Sequence, residues 1–579
     1  MAVALSPVAA FFVLRLALMS PPDLNDPAMH TTFLLDPHDI FLRYTELFTP
    51  TSRLREGARV GFLVPGRISE LLFGPFPGFV VYRYLLALIA VVPTYALLRR
   101  LYGIAAGVVG AIIVLSCPVI ITAWGTDFPD SAGVSYIIGG IACLAMPATR
   151  RRTAWLVASA LLFTMAVWTF ASSAPLIIVT LVVYVLIRRA REPSGLRRDA
   201  VVVAATGAAV TVLLALGSRW LLGPFDYVST TIRSLIYLSH PSQEAIWHSV
   251  NWRWAPYVAY LLVPPGIVIT WLIAFGRRLR AIPTPQLFVG LACASQLALS
   301  VLLQFVGKVQ MLEMHYFSSM LWASVVLTFA ISLSELSRPL LARRVARWAL
   351  PLVLLVVPLL YEIHPQVPAF GWLPFGFLLL GAVGVFAGVA KYVGRVWRAS
   401  AAQFAGVAAC TLVAGCVLIL TVAPIPNHPY IPATTGDPPP AYASALGGDT
   451  AHYVDLYRAT SELPAFAGNA AYSGEQLVMW WPWAQVNQLL EPIGIFHAFF
   501  DSVPGSFGAL DISGRQWIER RRPAQMLLLS DTGAQFEESL ASLAGYGPHL
   551  VRSGVLRSGD VSLHAWLIDL GRYIRASAQ

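Results

Sequence analysis

Charged residues are scarce in this chain of 579 residues. Only 12% of the residues are Asp, Glu, Lys or Arg and 57% are hydrophobic, whereas about 25% of a typical soluble domain is charged. Apolar runs of about 20 residues, the length that crosses a hydrocarbon core about 30 Å thick, recur over residues 1–424. The scarcity of charge excludes an ordinary soluble enzyme and predicts a polytopic α-helical membrane protein.

Lysine is almost absent, and the cysteines are poorly placed for chemistry. Lysine occurs only at Lys308 and Lys391, so arginine supplies nearly all of the positive charge behind the formal net charge of +10. The basic residues cluster in short segments between apolar runs, which favours a role in membrane topology over nucleic-acid binding. All five cysteines lie inside apolar segments, which argues against disulfides and thiolate metal ligands.

The apolar runs predict about thirteen transmembrane helices. Their approximate bounds are 3–20, 79–98, 104–124, 132–148, 154–172, 174–188, 200–222, 256–275, 287–306, 318–336, 348–363, 371–390 and 404–424. If the first helix enters from the cytoplasm, every basic cluster between later helices falls on the cytoplasmic side, as the positive-inside rule requires. The first run can also be read as a cleaved signal peptide, but it lacks a basic n-region and contains Arg15.

The composition changes after Pro424. Residues 425–440 are rich in proline and predict an extended linker. In residues 441–579, short apolar runs alternate with a helical pattern, and the chain turns at Ser558-Gly559-Asp560 in a pattern typical of a hairpin. We therefore predict a transmembrane domain in 1–424 and a C-terminal α/β domain in 441–579, which this threading places outside the cytoplasm.

The first outer loop, residues 21–78, contains the acidic stretch DPHDIFLRYTEL. A carboxylate near the membrane surface can act as a general base when the proton lies within hydrogen-bond distance. Asp39 is the first candidate for this base and Asp36 is the second, because the following Pro37 also suits Asp36 as a helix N-cap. The residues from Asp39 to Phe48 predict an amphipathic helix.

Candidate ligand-binding residues are spread over the outer loops. The first loop carries several arginines, which suit phosphate binding, although long loops also escape the topology rule. In residues 223–255, cations alternate with aromatic residues, which suits either a sugar beside a phosphate or an interfacial belt. In the turn 125–131, Asp130 with Ser131 predicts a helix cap. The candidate donor phosphate- or sugar-binding residues are Arg43, Tyr44, Arg59, Arg67, Asp127, Arg233, Lys308, His315 and Tyr316.

The order of these features resembles the GT-C superfamily of polyprenyl-phosphate-sugar-dependent glycosyltransferases, which includes protein O-mannosyltransferases and lipid A aminoarabinose transferases. The resemblance covers about residues 1–150. DPHDIFLRYTEL looks like the acidic stretch of the family, and the segment that ends in RRLYG at residues 99–103 looks like the one that follows it. By position, the resemblance implies that Asp39 is the catalytic base.

The resemblance also implies an activity. The protein would be an inverting hexosyl- or pentosyltransferase of a bacterial plasma membrane, with a polyprenyl-phosphate-linked sugar as donor and an extracytoplasmic cell-envelope glycan, lipid or protein as acceptor. Some members of the family use a divalent metal, and the acids here leave the cofactor unknown; no Cys or His spacing resembles a zinc site. The alternative is a transporter or lipid-linked-sugar flippase, which predicts mid-span charges and internal repeats.

Overall fold

The computed structural model describes most of residues 59–338 and parts of residues 459–571. The described residues are 59–73, 75–117, 120, 123–124, 129–147, 151–222, 258–276, 281–307, 311, 315–338, 459, 462, 465–466, 477–481, 506–509, 518–519, 522, 524–530, 535–559 and 561–571.

Ten α-helices are described in the first part of the chain. They are α1 (Val60–Phe73), α2 (Pro75–Tyr102), α3 (Ile104–Ser116), α4 (Pro129–Leu144), α5 (Arg152–Thr169), α6 (Ala174–Arg191), α7 (Leu196–Leu221), α8 (Val258–Phe275), α9 (Thr284–Phe305) and α10 (His315–Leu336). A short 3-10 turn, Ala171–Ser173, joins α5 to α6.

Five of these helices are long and apolar enough to cross a membrane. They are α2 from Val81 onward, α5, α6 together with the 3-10 turn before it, α7 and α9. Shorter apolar helices, α3, α4, α8 and α10, lie at four further predicted spans. The described residues thus place helices at nine of the thirteen predicted spans. The other four predictions, 3–20, 348–363, 371–390 and 404–424, fall outside them.

Helix α1 lies within the segment that the sequence predicts as an outer loop. It pairs with the start of α2: the Tyr82 hydroxyl donates to the Phe62 carbonyl oxygen at 3.0 Å, and the Ser69 hydroxyl donates to the Gly78 carbonyl oxygen at 2.8 Å. At 14 residues α1 is about 21 Å long, too short to cross a bilayer. The last part of the predicted loop is therefore helix α1, which forms an antiparallel hairpin with the start of α2.

Helices α4 and α5 pack closely and run in opposite directions. The Ser159 hydroxyl donates to the Gly140 carbonyl oxygen at 2.8 Å, and a Cβ added to Gly133 would lie 4.0 Å from the Phe170 Cβ. Small residues allow such close approach between membrane helices. The N-terminal end of α4 and the C-terminal end of α5 therefore lie at the same end of the bundle, which the predicted threading places outside the cytoplasm.

A buried ionic network joins the other ends of α5, α6 and α7. The Arg152 guanidinium donates to both carboxylate oxygens of Asp199, with Nε 3.2 Å from Oδ1, and the Tyr184 hydroxyl donates to Oδ2 at 3.1 Å. Arg188 Nη2 lies 3.8 Å from the same Oδ2. The network fixes the first turn of α7, a helix whose apolar residues are mostly exposed in the structure.

The C-terminal part contains a five-stranded mixed sheet with strand order β2-β1-β3-β5-β4. Its strands are β1 (Leu477–Trp481), β2 (Ser506–Ala509), β3 (Gln525–Ser530), β4 (Pro548–Ser558) and β5 (Val561–Leu570), and helix α11 (Gln535–Ser542) follows β3. Strands β1, β2 and β3 are parallel, while β4 and β5 form an antiparallel hairpin. Gly559 turns this hairpin with φ +54°, so the predicted turn is confirmed.

Candidate functional site

The start of α1, the start of α4 and the end of α5 bring two buried charged residues together. Arg59, immediately before α1, is 6% exposed, and Asp130, in the first turn of α4, is 2% exposed. The two side chains interact electrostatically. A buried charge is costly unless it is paired, so this electrostatic interaction lowers the cost of burying both groups.

Both the backbone and the side chain of Arg59 contact neighbouring groups. The backbone N–H groups of Phe62 and Leu63 both donate to the Arg59 carbonyl oxygen at 2.9 Å, which begins α1. The guanidinium carbon lies 5.0 Å from the centroid of the Phe170 ring, in the range of a cation-π contact. The Tyr136 hydroxyl donates to the Gly61 carbonyl oxygen at 3.1 Å and so ties this turn of α1 to α4.

Asp130 keeps one carboxylate oxygen available. The backbone N–H of Ser131 stabilises the carboxylate, in agreement with the helix-cap interpretation of the sequence. Within the described part of the chain, however, Oδ1 has no hydrogen-bond partner. Buried polar atoms are nearly always hydrogen-bonded, so an unpaired acceptor is a feature that needs an explanation. A carboxylate oxygen in this state can accept a hydrogen bond from a ligand hydroxyl.

The first turns of α4 are braced by a short hydrogen-bond chain. Trp124 Nε1 donates to the Ser135 hydroxyl oxygen at 2.8 Å, and that hydroxyl donates to the Ser131 carbonyl oxygen at 2.7 Å. Trp124 and Ser135 are both almost completely buried. Because side chains locked by packing and hydrogen bonds hold a site in place, this chain fixes the position of Asp130.

A second group of buried charged residues lies on the α1–α2 hairpin. Glu70 of α1 is 5% exposed and Arg83 of α2 is 8% exposed. A Cβ added to Gly78 would lie 2.9 Å from the Glu70 side-chain carboxyl carbon, so the two helices are in contact at this point. Neither residue is among the site residues predicted from the sequence.

The structure describes only some of the site residues predicted from the sequence. Arg59 lies in the buried site, and Arg67 lies two turns farther along α1 and is partly exposed. His315 and Tyr316 form the start of α10, and their side chains are not among those described. The remaining predictions fall outside the described residues: Asp36, Asp39, Arg43, Tyr44, Asp127, Arg233 and Lys308.

Two residues of this site, Asp130 and Phe170, are not among the sequence-predicted ligand-binding residues. Asp130 opens an apolar run, and an ionisable residue at such a position is a functional signal as well as a capping signal. Phe170 carries no comparable signal, because one aromatic residue between apolar runs is ordinary. In the described part of the chain, no three His, Cys, Asp or Glu side chains come together as a metal-binding group.

Comparison with protein-family models and with curated proteins finds no match. Among solved structures, the chain resembles ArnT from Cupriavidus metallidurans bound to undecaprenyl phosphate, with 14% identity, a TM-score of 0.49 and 97% coverage of each chain. It also resembles the archaeal oligosaccharyltransferase AglB from Archaeoglobus fulgidus in complex with an inhibitory peptide and a dolichol-phosphate, with 11% identity, a TM-score of 0.46, and coverage of 94% of this chain and 72% of that chain.

A second structure of the Archaeoglobus fulgidus oligosaccharyltransferase, in complex with Zn and sulfate, is 13% identical with a TM-score of 0.43 and covers 93% of this chain and 69% of that chain. At these TM-scores the similarity assigns no role to any residue of this chain.

Proposed function

We propose that the protein is an integral-membrane inverting glycosyltransferase. It transfers a sugar from a polyprenyl-phosphate donor to a glycan, lipid or protein acceptor of the cell envelope. The observation that carries this proposal is the buried Arg59–Asp130 site, in which the two side chains interact electrostatically and Asp130 Oδ1 has no hydrogen-bond partner among the described residues. Ionisable residues are costly in an apolar bundle and mark functional sites.

The two described residues suit the two halves of such a donor. The Arg59 guanidinium can bind a phosphate oxygen, since its planar donors match phosphate geometry. Asp130 Oδ1 can accept a hydrogen bond from a sugar hydroxyl. Because Arg59 places a positive charge beside Asp130, the electrostatics disfavour a divalent cation at this carboxylate, and no step of the proposal passes through a metal there.

The transfer step assigns the base to Asp39, with Asp36 as the second candidate. The acceptor oxygen forms a bond to the anomeric carbon while the bond from that carbon to the phosphate oxygen breaks. The phosphate leaves with the electron pair, and Asp39 takes the acceptor proton. Attack from the face opposite to the leaving group inverts the anomeric centre. Arg59 stabilises the charge that develops on the leaving phosphate.

The remaining organisation is part of the proposal. The transmembrane domain, residues 1–424, crosses the plasma membrane with the Arg59–Asp130 site at its extracytoplasmic end. The linker, residues 425–440, leads to an extracytoplasmic α/β domain in residues 441–579. The positive-inside distribution of arginine supports this orientation.

Reconstitution tests the proposal. Purified protein in proteoliposomes is given a panel of polyprenyl-phosphate sugars with cell-envelope acceptors, and the release of polyprenyl phosphate is measured. The variants are Asp39→Asn and Asp130→Asn. The control is Glu537→Gln, because the Glu537 side chain is exposed on α11. We expect turnover in the wild type and the control, a loss of at least about 100-fold in Asp39→Asn, consistent with general base catalysis, and a smaller loss in Asp130→Asn.

Two results would contradict the proposal. Equal turnover in Asp39→Asn and the wild type would remove the assigned base. Movement of the donor sugar across the bilayer with no cleavage of the bond to phosphate would identify a flippase, in which the same charged pair would guide the head group.

A further inference from the structure

The junction between α5 and α6 carries two serine hydroxyls with an unusual environment. Ser172 and Ser173 form the last two residues of the 3-10 turn that leads into α6. Ser173 is completely buried and occupies the N-cap position of α6, but its side chain makes no capping hydrogen bond. In the described structure, neither hydroxyl oxygen has a hydrogen-bond partner.

Other hydroxyls in the same two helices behave differently. Thr164 and Thr169 in α5 and Thr180 in α6 donate to the carbonyl oxygen four residues earlier, at 2.7 to 2.8 Å. This local bond is the usual way for a hydroxyl in a membrane helix to be satisfied. Ser172 and Ser173 therefore hold unused hydrogen-bonding capacity at one specific place in the fold.

The backbone at this junction favours a negative charge. The first hydrogen bond of the turn runs from the Ser173 N–H to the Phe170 carbonyl oxygen at 2.9 Å, so the N–H groups of Ala171 and Ser172 precede the helical ladder. The 18-residue helix α6 begins directly after this turn, and the dipole of a helix attracts anions to its N-terminus.

Positive charge and a third hydroxyl lie at the same end of the bundle. The Arg59 guanidinium contacts the ring of Phe170, the residue just before this turn. Helix α9 packs against α6, because Gln296 Nε2 donates to the Leu176 carbonyl oxygen at 3.3 Å. One helical turn beyond Gln296, Ser300 is buried and its hydroxyl oxygen has no partner among the described atoms.

We propose that the turn Ala171–Ser173, with Arg59, is a phosphate-binding subsite. This inference rests on the proposed function and deepens it, because it assigns the donor phosphate to the N-terminal end of α6. The phosphate of the donor is a diester and becomes a monoester with more negative charge when the sugar leaves. Hydroxyl and N–H donors aimed at that charge bind the product form more strongly than the substrate form, which favours the transfer step.

Direct binding measurements test the subsite. The full-length protein in nanodiscs is titrated with undecaprenyl phosphate and, separately, with inorganic phosphate. The variants are Ser172→Ala, Ser173→Ala and Ser172→Thr, which keeps the hydroxyl; the matched control is Ser159→Ala, because the Ser159 hydroxyl of α5 already bonds to Gly140. We expect Kd for undecaprenyl phosphate to rise about 10-fold in each of the first two variants, the value of one hydrogen bond to a charged group.

The control and Ser172→Thr are expected to retain the wild-type Kd. Wild-type Kd in both Ser→Ala variants, or the same weakening in Ser159→Ala, would overturn the subsite. Binding of inorganic phosphate with the same dependence on Ser172 and Ser173 would show recognition of the phosphate itself, which supports it. Binding that needs the serines in a protein that transfers no sugar would leave the subsite standing while the proposed function fails.

Discussion

The contact between α1 and α5 at Gly61 makes a sharp prediction about the site. Gly61 lies two residues after Arg59, and its own backbone is the acceptor for Tyr136. A Cβ at this position would lie 2.5 Å from the Thr169 hydroxyl oxygen and 2.8 Å from the Thr169 backbone nitrogen, and would also collide with the Met165 carbonyl oxygen. Gly61→Ala must therefore push α1 away from α5.

The size of this displacement follows from the distances. Ordinary contacts of a Cβ begin at 3.4 Å, so the separation from the Thr169 backbone nitrogen must grow by about 0.6 Å, and the separation from the closer Met165 carbonyl oxygen by more. The obstacle is largely helix backbone, which does not rotate away. Overpacking of this kind costs about 1–3 kcal/mol of stability. A misplacement of about 1 Å costs about 100-fold in rate where positioning controls catalysis, because Arg59 moves with Gly61.

Gly217 of α7 supplies the matched control. It faces the same helix α1, but a Cβ there would lie 3.8 Å from Val64 Cγ1, which is an ordinary contact. We expect Gly61→Ala to lower both the thermal midpoint and donor turnover in proteoliposomes, and Gly217→Ala to change neither. If Gly61→Ala transfers sugar at the wild-type rate and melts with Gly217→Ala, then α1 does not hold Arg59 in a catalytic position.

The remaining predictions concern stability in the two parts of the chain. Asp199→Asn removes the carboxylate shared by Arg152 and Arg188. Because the Arg152 side chain is 23% exposed, we expect the free energy of unfolding to fall by about 2 kcal/mol, which is less than for a fully buried pair. Thermal unfolding measures this change, and an unchanged stability would contradict the network. Phe536→Leu removes a ring stacked on Trp566 at 4.8 Å. We expect it to cost about 1 kcal/mol of stability in the five-stranded sheet, measured by hydrogen exchange of the strands. Unchanged exchange would contradict this packing.

Much of the described fold can be predicted from local patterns. The helices from α2 to α10 coincide with apolar runs bounded by arginine or proline, and the β4–β5 hairpin turns at the predicted glycine. Helix α1 could not be predicted in the same way. It is shorter than a membrane span and contains Pro65, so neither its length nor its composition distinguishes it from a loop. Its stability comes from burial against α2 and α5, which is a tertiary effect.

The candidate site shows where a single sequence is insufficient. Arg59 is one of three arginines of the first loop predicted to bind the donor, with Arg43 and Arg67, and the sequence alone gives no reason to rank it above the other two. Asp130 reads as a helix cap, which the structure also supports. Their proximity depends on how α1 docks beside α4 and α5, and that contact joins segments far apart in the chain. Residue type and local spacing cannot reveal it.

The pairing of Arg59 with Asp130 also explains how a charged site can be stable before a substrate binds. An isolated buried guanidinium would be strongly destabilising, whereas the neighbouring carboxylate and the Phe170 ring offset much of that cost. Within the part of the chain that the structure describes, Asp130 Oδ1 accepts no hydrogen bond. A donor that brings both a phosphate and hydroxyl groups satisfies the two residues together, whereas a phosphate without a sugar satisfies only one. Asp130 therefore contributes to recognition of the sugar, whereas Arg59 and the turn Ala171–Ser173 act on the negative charge that grows on the phosphate as the sugar leaves.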